Sequence, residues 1–417
     1  MLKEGYKKTE IGIIPEDWEV RRLEDIINEF IVPMRDKPKV FDGDIDWCRI
    51  EDIEGKYING SKDGKLVSNE TINKMNLKVF PENSLICSCS ASLGVYAINT
   101  KPLITNQTFI GLVPSNLINV DYLYYYMHSA TNRLKKLASG TTIPYISREK
   151  FEKFKVILPD IKEQEKIAEI LSTVDSQIDD TDKLIEKSKE LKKGLMQKLL
   201  TKGIGHTEFK KTEVGEIPVD WEVKRFEDIT DILRCGVAST PTYVDEGVMF
   251  LSAQNVQDGC LSLHKYNCVS KEYHEKLTKN DKPKRGDILY SRVGANYGIA
   301  AVVDIDNEFS VYVSLTLIRM KVNHDSNFYK YLLNSSFCKK QADIGVFQGA
   351  GVPNLNVKIV ENFKMVVPPI EEQKKIANIL SSVDDEIKEY ENKKQKLEEL
   401  KKGLMQQLLT GKIRTRI

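Results

Sequence analysis

The chain opens the same way twice. "KKTEIGIIPEDWEV" runs from Lys7 to Val20, and "KKTEVGEIPVDWEV" from Lys210 to Val223. A second pair follows: "LPDIKEQEKIAEILSTVDSQIDD" starts at Leu158 and "VPPIEEQKKIANILSSVDDEIKE" at Val367. This match continues without a gap to "ELKKGLMQKLLT", ending at Thr201, and "ELKKGLMQQLLT", ending at Thr410. Each half therefore reads as opening motif, variable body, then long helix. A unit of about 200 residues is far longer than a solenoid repeat, so the chain is two copies of one domain-sized element. Whatever the first half builds, the second must build again.

The helices are the clearest local signal. Pro159 and Asp160 precede an apolar stripe at Ile167, Leu171, Val174, Ile178, Ile185, Leu191, Leu195 and Leu199. The second stripe is Ile376, Leu380, Val383, Ile387, Tyr390, Leu397, Leu400, Leu404 and Leu408. Spacings of four and three, with Lys and Glu elsewhere, are coiled-coil-like. Asp160 with Glu163 reads as a capping box, and Gly203 and Gly411 stand where C-caps are expected. Forty residues at the helical rise make a rod about 60 Å long. A rod with one apolar seam needs a partner. The expected arrangement is an antiparallel pair of the two rods about an internal pseudo-twofold axis, rather than each rod packed on its own domain. The opening motif reads as a joint: a turn at Pro15 or Pro218, an anchoring Trp18 or Trp221, then a short strand entering a helical turn.

Between these shared ends lie variable bodies, at about 27–157 and 230–366 by the pattern alone. "NSLICSCSASLGVYAI" from Asn83 aligns with "GDILYSRVGANYGIAAV" from Gly286, both reading as strand, polar turn and strand. The tips differ, carrying Cys89, Ser90 and Ser92 in one half and Arg292, Asn296 and Tyr297 in the other. "SGTTIPYIS" at Ser139 to Ser147 matches "QGAGVPNLN" at Gln348 to Asn356. A constant frame thus holds two sets of hydrogen-bonding side chains, of the types that read base edges or hold phosphates. The candidate DNA-binding residues are Ser90, Ser92, Thr142, Tyr145 and Arg148 in the first half. In the second they are Arg292, Asn296, Tyr297, Gln348 and Asn354. The aromatic run Tyr122, Tyr124, Tyr125 and Tyr126 reads as core rather than as a stacking platform.

No catalytic signature accompanies this frame. Pro368–Pro369, the one Pro-Pro pair, lacks the flanking polar and aromatic residues of an amino-methyltransferase motif, and neither glycine-rich nucleotide loop occurs. The seven cysteines show no paired metal-ligand spacing, and the five histidines none either. Neither catalytic, cofactor nor metal residues are therefore expected in this chain. With 62 basic and 61 acidic side chains, a net charge of +1 neither demands nor excludes nucleic acid. The sequence shows no bilayer-length apolar run and no secretory leader pattern, which reads as cytoplasmic.

The duplicated "IPEDWEV" and "IPVDWEV", the Pro–x–x–x–Glu–Gln–x–x–Ile–Ala–x–x–Leu pattern at Pro159 to Leu171 and Pro368 to Leu380, and "LKKGLMQ" at both helix ends resemble the specificity subunit of type I restriction–modification systems. The resemblance covers nearly the whole chain. It implies a mixed α/β fold: a target recognition domain over 1–157, a central spacer helix over 158–205, a second recognition domain over 206–366 and a C-terminal spacer helix over 367–417. It further implies that the chain is non-catalytic. Each recognition domain would read one half of a split double-stranded DNA site, with the helices setting the spacing. Two modification subunits, which bind S-adenosylmethionine and methylate adenine, would join it, followed by restriction subunits. The alternatives are a non-DNA protein scaffold, or a methyltransferase or nuclease with degenerate motifs.

Overall fold

The computed structural model describes residues 4–140, 142–347 and 353–415. The chain divides into two compact units, Met1–Asp182 with Asn392–Ile417, and Lys183–Glu391. The division cuts both long helices, Ile161–Lys202 and Ile370–Leu408, so each unit owns part of each.

The first unit is built on a mixed six-stranded sheet. Its order is Ile27–Ile31, Phe109–Pro114, Leu85–Ser88, Tyr96–Asn99, Tyr57–Ile58 and Ile53–Glu54. Leu85–Ser88 is buried on both faces, as an unbroken apolar strand in mid-sheet must be. A separate three-stranded sheet has the order Leu103–Thr105, Ile45–Cys48 and Leu66–Val67. The tyrosine run belongs to the helix Val120–Ser129, where Tyr122, Tyr124, Tyr125 and Tyr126 are all buried. Asn119 caps that helix by accepting from the Tyr122 amide.

The second unit repeats the plan with a four-stranded sheet, Thr230–Cys235, Leu315–Met320, Ile288–Ser291 and Ala300–Val302. Here the helix Ser326–Leu333 is capped by Asp325. One element is detached: the hairpin Val256–Gln257 with Cys260–Leu261 forms its own two-stranded sheet, whereas its first-half counterpart hydrogen-bonds to the main sheet.

The opening motif is the joint its sequence implies. In the first unit the strand Glu19–Arg22 pairs with Lys155–Leu158, the strand that runs into the central helix. Trp18 is fully buried, and its indole N–H donates to Glu163 Oε2 at 2.9 Å. Arg414, just past the terminal helix, bridges Glu163 and Asp17 with contacts of 2.7–2.9 Å. The second unit has the same strand pair, Glu222–Arg225 with Lys364–Val367, and the same tryptophan bond, Trp221 to Glu372 at 2.9 Å. In place of arginine, His206 sets one ring nitrogen 2.8 Å from Glu372 and the other 3.5 Å from Asp220. Glu163 is therefore not a capping-box partner. Asp160 caps the helix alone, through the Lys162 amide, because the buried indole claims the glutamate.

The helices pair antiparallel in each unit. Asp175 meets Lys401 at 2.5 Å and Asp182 meets Lys394 at 2.7 Å in the first; Lys192 meets Asp384 at 2.5 Å in the second. The contact is not one continuous apolar seam. Ile167 and Leu171 join the first unit's core with Leu408 and Leu409, while Ile376 and Leu380 join the second's with Leu199 and Leu200. Leu191 and its counterpart Leu400 stand 52% and 50% exposed, whereas Thr181 and Ser188 are buried. Pairing and packing on the bodies are thus both realised, the apolar contacts lying toward the helix ends.

Candidate nucleic-acid interface

The strand register gathers four loops at one end of each main sheet. In the first unit, Leu85–Ser88 and Ile27–Ile31 both finish there, and Tyr96–Asn99 and Phe109–Pro114 both begin there, since Phe109 pairs with Ser88 and Gly111 with Ile31. The turn 89–95, the loop 106–108 and the exit segment 32–44 therefore emerge together. The fourth loop, 139–147, is stitched on by backbone bonds: Ile146 N–H to Cys89 O at 2.9 Å and Ala91 N–H to Pro144 O at 3.2 Å. Cys89 N–H in turn donates to Thr108 O at 2.8 Å.

The second unit reproduces this frame bond for bond. Leu355 N–H donates to Arg292 O at 2.8 Å, Gly294 N–H to Pro353 O at 3.1 Å, and Arg292 N–H to Ser314 O at 3.0 Å. Backbone bonds tolerate any side chain, so the frame can persist while the residues on it change. Ala91 shows the constraint: it holds φ at 57°, where its counterpart Gly294 sits at 93° without a Cβ to strain.

The candidate residues divide by what their side chains already do. Ser92, Thr142, Tyr145 and Arg148 are exposed and Ser90 half-buried; Tyr145 is 48% exposed and bridges to Ser90 through its backbone. Arg148 pairs with Glu152 through Nε at 2.7 Å on the short helix Arg148–Glu152, with its guanidinium over the Phe30 ring. In the second unit Asn296 and Asn354 are exposed. Arg292 is committed inward: its guanidinium donates to Leu355 O at 2.8 Å, Val313 O at 3.2 Å and Asn354 Oδ1 at 3.1 Å. Three of its five N–H groups tie three loops together, leaving two for a ligand. Tyr297 donates to Asp343 at 2.6 Å, with Lys339 over its ring, so its hydroxyl and one ring face are already engaged. Gln348 lies outside the described residues.

Two of the four loops carry no sequence match between halves. Asn106, Gln107 and Thr108 stand where Tyr312, Val313 and Ser314 stand in the second unit. The exit segment contributes Arg35, Lys37 and Lys39 with exposed Met34 and Phe41 in one half, and exposed Tyr243 and Val244 in the other. Only the strand register places them beside the recognised pair. Polar tips, cations and exposed aromatics on one hydrogen-bonded edge suit base and phosphate contact.

Elsewhere, His206, Asp220 and Glu372 form the one converging His and carboxylate group among the described residues. Both Glu372 oxygens are taken, by the Ile204 N–H, His206 and the Trp221 indole, so the group closes the joint. No helix among the described residues is long and apolar enough to cross a membrane.

A family model described as the type I restriction modification DNA specificity domain matches residues 15–190 and again 218–401. The chain is 32% identical to the type I restriction enzyme MjaVIII specificity subunit of Methanocaldococcus jannaschii, over 99% of this chain and 97% of that one. It is 21% identical to the EcoDI specificity subunit of Escherichia coli, over 88% and 81%. The crystal structure of a type I restriction–modification S subunit from M. genitalium shares the fold with a TM-score of 0.59, at 16% identity and 96% coverage of each chain.

Proposed function

Because the chain belongs to the type I restriction–modification DNA specificity family, we propose that its two halves divide the reading of double-stranded DNA between them. Each four-loop edge takes one half of a bipartite, asymmetric site, and the paired helices set the distance between the halves. Ser90, Ser92, Thr142, Tyr145 and Arg148 serve the first half-site; Arg292, Asn296, Tyr297, Gln348 and Asn354 serve the second. Arg292 does so partly by holding its loops in position. The single observation behind this reading is the backbone frame, identical in its hydrogen bonds across the halves and different in the side chains it holds.

The chain itself carries out no chemistry in this reading. Two modification subunits dock along the helices, binding S-adenosylmethionine and methylating adenine, and restriction subunits complete a cytoplasmic assembly. Phosphate neutralisation supplies much of any protein's affinity for DNA, and a chain of net charge +1 brings little of it alone. Methylation mapping of DNA from cells expressing this chain with its modification subunit tests the reading. The expected result is a split adenine-methylated motif that disappears when this chain is omitted. Methylation of the same motif without the chain would overturn it.

A further inference from the structure

The halves also diverge away from the reading edges. In the first unit, Lys56 sits in the turn of the hairpin joined to the main sheet, its side chain only 8% exposed. Its ammonium donates to Asp121 at 2.6 Å and Ser172 at 2.8 Å, and lies 4.8 Å from the Tyr125 ring centre. Tyr125 donates to Asp175 at 2.6 Å, and Asp175 also pairs with Lys401. A buried lysine is thus held by a carboxylate, a hydroxyl and an aromatic face.

The second unit keeps the surroundings and loses the plug. Tyr331 donates to Asp384 at 2.6 Å and Lys192 meets Asp384 at 2.5 Å, repeating Tyr125, Asp175 and Lys401. Gly259 occupies the place of Lys56, and Asn327 that of Asp121. A lysine returns from another element: Lys330 replaces Tyr124, its ammonium 4.0 Å from the Tyr331 ring centre. Among the described residues its ammonium has neither an ion pair nor a hydrogen bond, and burial holds its pKa below the ordinary lysine value. Cavities of about 350 and 210 Å³ open beside it, both lined by Gly259 and Lys330. The smaller shares Lys192, Met196 and Asn334 with a cleft of about 470 Å³ along the central helix. That cleft is floored by Met196, Leu200, Leu332 and Phe337 and rimmed by Lys189 and Lys193.

We infer that this groove takes an acidic amphipathic segment of a partner polypeptide. One of its carboxylates seats on Lys330, supplying the charge that Asp121 supplies within the first half, and its apolar side chains lie over Met196, Leu200 and Phe337. Asp258 and Asp384 also line the smaller cavity, but Asp384 is already claimed by Tyr331 and Lys192, and neither carboxylate forms an ion pair with Lys330. A half-buried ammonium beside open space calls for a further anion. The apolar floor calls for more than a small ion, and none of its residues belongs to the four loops at the reading edge. The inference rests on the reading that this chain assembles with other subunits, and makes that assembly asymmetric.

The test uses the full chain co-expressed with its modification subunit, with stoichiometry read by native mass spectrometry and affinity by sedimentation. Lys330→Glu is expected to weaken attachment at least tenfold and to leave complexes one partner short. Lys330→Met, which removes a half-buried charge without adding one, should weaken attachment and flatten its salt dependence while the chain melts no lower than the parent. Assembly of both variants like the parent would overturn the inference alone. No complex even with the parent chain would overturn the assembly reading, and the inference with it. Two other results would also overturn it: Lys330-dependent binding of inorganic phosphate with assembly untouched, and loss of DNA binding by complexes of unchanged composition.

Discussion

In the first unit, Glu163 is 1% exposed and shares its two oxygens between the Trp18 indole and the Arg414 guanidinium. In the second, Glu372 is 12% exposed and bonds the Trp221 indole, the Ile204 amide and the His206 ring. The tryptophan and glutamate are common to both; the cation is not. A buried carboxylate must be hydrogen-bonded, and the indole N–H meets that need in both halves. What closes the other side depends on the chain that follows each helix. After the terminal helix it is an arginine, charged at any ordinary pH, which also holds the Asp17 carboxyl below the usual carboxylate range. After the central helix it is a histidine, charged only when protonated. The duplication kept the anchor and let the clasp drift.

The largest effect should come from breaking the anchor itself. Trp18→Ala and Trp221→Ala should each cost about 3–5 kcal/mol, the usual range for a buried aromatic truncated to alanine. Hydrogen exchange should show the loss confined to the unit that carries the substitution; equal loosening of both would mean that the joints are not independent. Next comes the clasp. Arg414→Ala leaves the buried Glu163 charge without its counter-ion, with the indole as its remaining side-chain donor, and should cost about 3 kcal/mol. His206→Ala should cost only about 1 kcal/mol, because Glu372 keeps its amide and indole donors. Equal losses on thermal unfolding would remove the distinction between the joints.

A third contrast is in acid. His128 packs between Tyr96 and Tyr124 in the first unit, and its counterpart in the second is Asn334. Burial pushes the His128 imidazole down to about 4 from 6.5. The unfolded chain therefore takes up the proton first. The contribution of His128 is intact above pH 6.5 and is lost as pH falls toward 4, amounting to about 2–3 kcal/mol. His128→Asn should abolish that part of the acid loss, read as a smaller drop in melting temperature between pH 7 and pH 4.5. The smallest effect concerns the reading edge. Ala91→Gly should raise stability by up to about 1 kcal/mol in denaturant unfolding, by relieving the left-handed backbone that Gly294 already adopts.

The duplication, the long helices and the two aligned loops were legible because they rest on local patterns repeated between the halves, and the mixed fold followed from the family resemblance that those repeats carry. Gly140 and Pro144, with Gly349 and Pro353, marked the second loop in each half. Other features depend on contacts that no spacing reveals. Glu163 looks like a cap partner until a tryptophan distant in sequence is seen to hold it. Leu191 and Leu400 fit the apolar stripe, yet they face outward where ion pairs such as Asp182–Lys394 carry the helix contact. Arg292 has the side chain of a base reader, but three loop groups claim its N–H donors first. The loops 106–108 and 312–314 share no residue type that could have aligned them, and the replacement of Lys56 by Gly259 is silent until the cavity beside Lys330 is seen.

The central claim is that one backbone frame carries two separate readings of DNA. Its most direct test grafts the first half's tips, 89–94, 106–108 and 142–147, onto the matching positions of the second half. Methylation motifs are then mapped for parent and graft with the same modification subunit. The account predicts that the first half-site is retained and the second is replaced by a copy of the first, at the same spacing. An unchanged asymmetric motif from a folded, assembled graft would contradict it.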